Sequence, residues 1–152
     1  MVYDGKQYIY LIGGSVPDAG PVDYVERLDV STARWSLRAS LPRPQAGGAA
    51  LLNDGRVLAC GSGGGDSDDD NDRCYAYAPR DNRWRNAGQL NHAYTLLRLV
   101  RCAGKVYAIG TRTERLLGIE LLDCSLRWGV INYSGDSDDV GRLHGVACVG
   151  DE

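Results

Sequence analysis

A tandem repeat of about 48 residues constrains this 152-residue chain more than any other feature. A short apolar segment that ends at a glycine recurs at intervals of 48 and 49 residues, and a tryptophan recurs at intervals of 49 and 44 residues. The glycines are Gly13, Gly61 and Gly110, and the tryptophans are Trp35, Trp84 and Trp128. Because both residue types keep their phase in every copy, each copy is predicted to be one structural unit that stacks on its neighbours.

Each repeat has the pattern of four short strands. In the second repeat, the apolar segments 47–52 and 56–60 are joined by Asn53-Asp54-Gly55, a turn that favours a hairpin. Strands at 74–77 and 83–85 follow, and no segment shows helical periodicity over about 11 residues. Four strands in a repeat of this length are typical of a propeller blade. The sequence therefore predicts an all-β partial propeller of about three four-stranded antiparallel blades.

The repeats predict one domain with offset seams between its modules. The modules lie at about 1–45, 46–93 and 94–141, with the start of a fourth at 142–152. If strands are labelled a to d outward from the axis, the chain is predicted to begin at strand b and to end with a lone strand a. Three blades cannot close a ring, since propellers typically have four to eight. Two interpretations stay open: a fragment of a longer protein, or two chains that complete a six-bladed ring.

Three motifs in phase make the chain resemble the Kelch repeats over nearly its whole length. The family pattern is an apolar strand that ends in Gly-Gly, a Tyr/Leu-Asp element, and a tryptophan about six residues later. The matches are Leu28-Asp29 with Trp35, Tyr77-Ala78 with Trp84, and Leu122-Asp123 with Trp128. The double glycine is intact only at Gly13-Gly14. The segment from Tyr24 to Trp35 is similar to the Kelch-like (BTB-Kelch) substrate adaptors.

The resemblance implies a module that binds a protein or peptide. Through a longer parent chain, it also implies a link to actin or to substrate recognition for a ubiquitin ligase. The alternative is an enzyme fragment similar to galactose oxidase, in which tyrosine and histidine hold copper. The chain has only two histidines, His92 and His144, and no Ser-His-Asp or Gly-x-Ser-x-Gly arrangement. We therefore predict neither catalysis nor a cofactor.

The loops that join strand b to strand c and strand d to strand a are predicted to share one face. The resemblance implies that Kelch-like adaptors bind peptides with this face. The b–c loops are predicted at 15–23, 62–73 and 111–117, and the d–a loops at 38–46, 86–95 and 129–143. The candidate partner-binding residues are Ser15, Arg43, Gln45, Asp66, Asp68, His92, Tyr94, Arg112 and Arg142.

Three of these candidates occupy positions where Kelch-like adaptors often carry an arginine just before strand a. The matching residues are Gln45, Tyr94 and Arg142, and only the third is arginine. Its planar fork is suited to a carboxylate. The other two keep the capacity to hydrogen-bond a ligand but lack the charge, and solvation alone is the alternative interpretation for both.

Two acidic tracts, at 63–72 and 135–139, are predicted to lie on the same loop face. The alternating aspartates of the first tract are Asp66, Asp68, Asp70 and Asp72. They resemble the start of an EF-hand calcium loop, but its sixth position is asparagine rather than glycine and its twelfth is tyrosine rather than glutamate. A solvated acidic loop is the favoured interpretation. Attraction of a basic peptide and calcium binding are the alternatives.

Composition excludes some partners and suggests a compartment. The net charge of −3 gives no long-range attraction to nucleic acid or to an anionic membrane. No apolar run reaches the length of about 18 residues that a membrane span needs. The five cysteines are odd in number and contain no Cys-x-x-Cys, which favours a reducing, cytoplasmic location. Cys60 and Cys148 are predicted to be small buried apolar side chains within strands.

Overall fold

The computed structural model describes residues 1–62, 72–94, 96–112, 117–131 and 148, and every element in these ranges is a β-strand. The first sheet contains β1 (Val2–Tyr3), β2 (Tyr8–Ile12), β5 (Val25–Asp29) and β6 (Arg34–Leu37), with the small hairpin β3 (Ser15–Val16) and β4 (Gly20–Pro21) between β2 and β5. The second contains β7 (Ala46–Leu51), β8 (Val57–Ser62), β9 (Arg73–Ala78) and β10 (Arg83–Gln89). The third contains β11 (Leu96–Cys102), β12 (Lys105–Thr111), β13 (Leu117–Leu122) and β14 (Trp128–Val130).

Each of the three four-stranded sheets is antiparallel and follows the order of the chain. We call them blades one, two and three. Their first strands, β1, β7 and β11, contact one another between neighbouring blades, as expected for the innermost strands of a propeller. The prediction of an all-β, partial propeller with about three blades is therefore confirmed.

The first blade differs from the prediction at its inner edge. Val2 pairs with Tyr10 and Tyr3 pairs with Ile9, so the chain begins at strand a of this blade, supplied by β1, and not at strand b as predicted. A strand of two residues is too short to show alternation, which explains why the pattern did not reveal it. The predicted lone strand at 142–149 lies outside the described residues, apart from Cys148.

The turn before each repeat tryptophan has a common geometry. Ala33, Asn82 and Leu126 each lie two residues before a tryptophan and have φ angles of 53°, 50° and 59°. In blade one the Asp29 side chain accepts hydrogen bonds from the backbone N–H groups of Ser31 and Thr32, which holds this turn closed. The aspartate of the repeat motif is thus a turn-forming residue, since short acidic side chains readily bond backbone two residues on.

Small residues in β7 allow the inner strands to approach closely. A Cβ atom added to Gly48 would lie 2.4 Å from the backbone nitrogen of Leu99, in the inner strand of the next blade. This distance is shorter than any real carbon contact, so the position requires glycine for close approach of two backbones. The glycine- and alanine-rich sequence of strand a is explained by this proximity.

The repeat tryptophans pack between blades. Trp84 packs with a cluster that contains Tyr10 of blade one and Tyr77 of blade two, and its Nε1 donates to the Ala39 carbonyl at 2.8 Å. Trp128 belongs to the core between blades two and three and is only 8% exposed. Trp35, which no other blade of the described residues covers, is 54% exposed. Burial of each tryptophan therefore depends on the blade before it.

The cysteines differ from the prediction. Cys60 and Cys74 lie opposite each other in β8 and β9 and form a disulfide, and Cys102 forms another with Cys148. Cys60 is fully buried, as expected, but Cys148 is exposed and lies outside any strand. The fifth, Cys124, is a free and exposed thiol. Strand register brought the first pair together, and spacing along the sequence could not show it.

Candidate functional site

The connections from strand b to strand c and from strand d to strand a leave the same end of the antiparallel blades. We call this end the loop face. Its described parts are the segments 13–24, 38–45 and 90–94, together with Arg112 at the end of β12. Asp66, Asp68 and Arg142, like both acidic tracts apart from Asp72, lie outside the described residues.

The first group of candidates surrounds the b–c loop of blade one. Ser15 is exposed and opens the small hairpin of β3 and β4, where it pairs with Pro21. Arg43 is exposed in the d–a connection that follows. Gln45 is only 5% exposed. Its carbonyl accepts from the N–H of Gly14 at 3.0 Å, and its own N–H donates to Val22 at 3.2 Å. Position 45 therefore joins two loops instead of presenting its side chain.

The second group surrounds a buried carboxylate that the sequence reading did not identify. Glu120, in β13, is 0% exposed. Its Oε1 atom accepts from the Tyr94 hydroxyl at 3.0 Å and from the His92 backbone N–H at 3.1 Å, and the His92 ring Nδ1 lies 3.2 Å away. Its Oε2 atom accepts from both the backbone N–H and the side-chain amide of Asn91, each at 2.8 Å. A buried carboxylate is tolerated because its oxygens are saturated with donors.

This network fixes the d–a loop between blades two and three. Asn91 also donates to the Trp128 carbonyl at 2.8 Å, so the loop is tied to two strands of blade three. Burial raises the pKa of Tyr94, and the neighbouring charge of Glu120 raises it further. The hydroxyl therefore stays a neutral hydrogen-bond donor, and the Tyr94 side chain, at 2% exposure, lies buried beneath the loop.

Arg112 lies beside this network. A methyl group at Gly118 would be 2.7 Å from the Tyr94 ring and 2.8 Å from the Arg112 side chain, so both side chains pack over this glycine. The positive charge of Arg112 opposes the rise in the Tyr94 pKa, which places it within electrostatic range of the ring. His92 and Arg112 are both partly exposed.

The structure thus gathers the described candidates into two groups. Ser15, Arg43 and Gln45 surround the connection from blade one to blade two, whereas His92, Tyr94 and Arg112 surround Glu120. One signal in the sequence could have located the second group. In Leu117-Gly-Ile-Glu-Leu-Leu122, the glutamate has the same parity as the buried Gly118 and Leu122, so it had to face the core.

A cavity of about 610 Å³ opens where the inner strands of the three blades converge. It is lined by Met1 and by the segments 11–14, 46–49 and 96–99. The side chains of these walls are mainly those of glycine, alanine and leucine, and Arg98 is the charged residue among them. Among the residues that the structure describes, no three metal-ligating side chains come together, and none of its segments forms a helix that could span a membrane.

Comparison with known proteins agrees with the repeat architecture. The family model described as "Kelch motif" matches residues 5–42, which include the whole of blade one after β1. A mouse protein named Kelch-like protein 35 is 27% identical over 106 residues. The match covers 70% of this chain but 17% of the mouse protein, so the chain corresponds to a small part of that relative.

Proposed function

Because the chain is a Kelch-repeat protein related to the Kelch-like proteins, we propose that it is a protein-interaction module that binds a partner peptide or protein through the loop face. The Glu120 network carries the proposal. In this network a fully buried carboxylate accepts hydrogen bonds from one surface loop and holds that loop in place. A loop ordered before binding costs less conformational entropy when a partner arrives.

The loop face offers different roles to its residues. We propose that Ser15, Arg43, His92 and Arg112 contact the partner, since they are exposed or partly exposed. The buried Gln45 and Tyr94 support their loops from beneath. We also propose Asp66, Asp68 and Arg142 as contacts, from their places in the sequence of the same loops.

A peptide library displayed on phage tests this proposal. Selected peptides would be labelled and titrated by fluorescence anisotropy against the wild-type chain and against Arg43→Ala and Arg112→Ala. The matched control is Arg34→Ala, an exposed arginine on β6 away from the loop face. Weakening in the first two variants, with the control unchanged, is expected. Equal weakening in all three variants, or in none, would place binding elsewhere.

A role in substrate recognition for a ubiquitin ligase, or in actin binding, is proposed only for a longer parent protein. The mouse relative is much longer than the matched region. Co-purification of the full parent protein with ligase subunits, compared with a parent whose Arg43 and Arg112 are alanine, tests substrate recognition. Ligase association should persist and substrate recovery should fall; loss of both would argue against a role of the loop face in substrate choice. Nothing in the described residues specifically favours the oxidase-like alternative.

We also propose that two copies associate into a six-bladed ring. Tyr3, Leu11, Trp35 and Leu37 share the outer face of blade one and are 52%, 42%, 54% and 71% exposed. The equivalents of Trp35 in the other two blades are covered by a preceding blade. Large exposed apolar surfaces of this kind mark interaction sites.

The opposite face of the assembly supplies the matching surface. Tyr107 pairs with Leu121 and Ile109 pairs with Ile119 across β12 and β13, and all four are partly exposed. Blade three of one copy can therefore cover blade one of the other, and the same contact formed twice closes the ring.

Light scattering coupled to size-exclusion chromatography measures this association. A mass of two chains is expected for the wild type and of one chain for Trp35→Lys. Arg34→Glu, the exposed neighbour of Trp35, is the control and should remain paired. If the wild type has the mass of one chain at all accessible concentrations, the six-bladed ring is disproved.

A cytoplasmic location is a further proposal, supported by the Kelch-like relative. The two disulfides point the other way, because such bonds are typical of oxidising compartments. Rapid alkylation of cells followed by mass spectrometry would measure the oxidised fraction of Cys60 and Cys74. Mostly reduced thiols would support the cytoplasm, and a fully oxidised pair would contradict it.

A further inference from the structure

A cleft of about 690 Å³ lies between blades one and two, at the end opposite the loop face. It is bounded by the a–b turns of both blades and by the c–d turn of blade two. Its apolar wall includes Tyr8, Leu51 and Pro79, and Arg27 lies in the same lining. Both blades that form it are complete, so the cleft does not depend on closure of a ring.

Arg27 is held in this cleft without a matching anion. Its guanidinium carbon lies 3.9 Å from the centre of the Tyr8 ring, which fixes the plane of the group by a cation–π contact. Its Nε atom is buried and has no hydrogen-bond partner. Within the described ranges, no carboxylate lies at ion-pair distance from it. The Tyr10 hydroxyl, which also lines the cleft, is a hydrogen-bond neighbour of this side chain. Because buried donors are almost always satisfied, the guanidinium keeps hydrogen-bonding capacity for a ligand that enters the cleft.

Two of the three carboxylates that line the cleft are already engaged, and the third, Asp81, is exposed at its rim. Asp4 Oδ1 accepts from three backbone N–H groups of its own turn, each at 2.9 Å. Asp54 bonds the side chain of Arg56 at 2.7 Å, and this hydrogen bond is the main reason that its pKa is lowered. Lys6 and Arg80, both exposed, add positive charge at the rim.

The neighbouring cleft is a natural comparison. A cleft of about 660 Å³ lies in the corresponding place between blades two and three. The repeat position of Arg27, two residues before the end of strand c, is occupied there by Ala76. The arginine is therefore a property of one cleft and is not required by the architecture of the blade.

We propose that the Arg27 cleft binds a carboxylate that stands next to an apolar residue of a partner polypeptide. The planar fork of arginine donates two parallel hydrogen bonds to a carboxylate, and the contact with the Tyr8 ring holds that fork in position. The apolar wall accommodates the adjoining side chain, in keeping with pockets that combine apolar lining with few polar anchors. This site is separate from the loop face, so the proposal does not depend on the proposed function of the loop face.

The test uses the full ¹⁵N-labelled chain and three pentapeptides in an NMR titration, the first two blocked at both ends and the third blocked only at its N-terminus. The first carries one glutamate between two leucines, the second has glutamine in its place, and the third has no glutamate but ends in leucine with a free carboxylate. Amide shifts at Lys6, Gly55 and Asp81 are expected with the first or third peptide, which distinguishes a side-chain from a terminal carboxylate. The glutamine peptide should bind about tenfold more weakly, as expected for loss of one charge-assisted pair.

Variants identify the anchor. Arg27→Gln should weaken the charged peptide about tenfold, whereas Arg34→Gln, which removes an exposed charge from the same blade, should leave binding unchanged. Arg80→Gln, at the exposed rim, should weaken binding about twofold in low salt and less at high salt, and it decides the matter if Arg27→Gln does not fold. Equal binding of the glutamate and glutamine peptides, shifts confined to the loop face, or no binding by any peptide would overturn the proposal.

Discussion

Replacement of Glu120 by glutamine should destabilise the chain far more than an ordinary loss of one charge. The amide nitrogen cannot accept a hydrogen bond, so either the Oε1 donors or the Oε2 donors lose their acceptor. At least two donors are then unsatisfied at about 1–3 kcal/mol each, or about 2–6 kcal/mol in total. Asn91 is exposed, and its side-chain amide, unlike its backbone N–H, can turn to water. The new amide nitrogen should therefore face Asn91, and the loss should fall at the lower end.

Urea denaturation followed by circular dichroism gives the free energy of unfolding for both proteins. The chain offers a matched control in Glu26→Gln, because Glu26 holds the same repeat position in blade one and is partly exposed. The control should change stability by no more than about 0.5 kcal/mol. Faster hydrogen exchange at the amides of Asn91 and His92 should accompany the loss in Glu120→Gln. A loss below about 1 kcal/mol, or unchanged exchange at these amides, would refute the claim that Glu120 holds the loop.

Three further perturbations test the blades. In denaturant titration, Trp84→Ala should lower the free energy of unfolding by about 3–5 kcal/mol, because another blade covers this side chain. Trp35→Ala should lower it by under about 1 kcal/mol in dilute solution, because Trp35 is exposed. Replacement of both Cys60 and Cys74 by serine should lower the free energy of unfolding by about 3 kcal/mol, because the disulfide is lost. Denaturation of this variant beside the oxidised and the reduced wild type checks the value. Burial alone would raise the pKa of Asp4, but backbone hydrogen bonds lower it overall. The contribution of Asp4 to the free energy of unfolding should therefore persist above about pH 4 and disappear below it. Acid titration of the wild type and of Asp4→Asn, which lacks this contribution, measures the difference.

Much of the fold could be predicted because the repeat signals act within each blade. Asn53-Asp54-Gly55 predicted its hairpin from local turn chemistry, and Gly55 has the expected positive φ of 82°. The tryptophan phase predicted units that stack on their neighbours, and Trp84 and Trp128 pack where two such units meet. These features need no knowledge of distant contacts, and for that reason a single sequence is sufficient.

The remaining features depend on register between strands. The pairing of Cys60 with Cys74 follows from which residues face each other across β8 and β9, and the sequence contains no record of that alignment. The role of Glu120 depends on donors that the loop after β10 brings to it, and these are distant from β13 along the chain. Arg27 was missed for a similar reason, since its importance comes from a stacked tyrosine and an unmatched Nε atom.

The bond between Cys60 and Cys74 has a consequence for how such a chain can diverge. It closes the base of the segment between β8 and β9 with a covalent link between two fully buried residues. The intervening sequence is therefore a covalently closed loop, and changes within it leave its two anchor residues in place. Doubling the length of such a loop raises the free energy of loop closure by only about 0.6 kcal/mol. Blade two can thus tolerate changes in the sequence between the two cysteines at a small cost in stability.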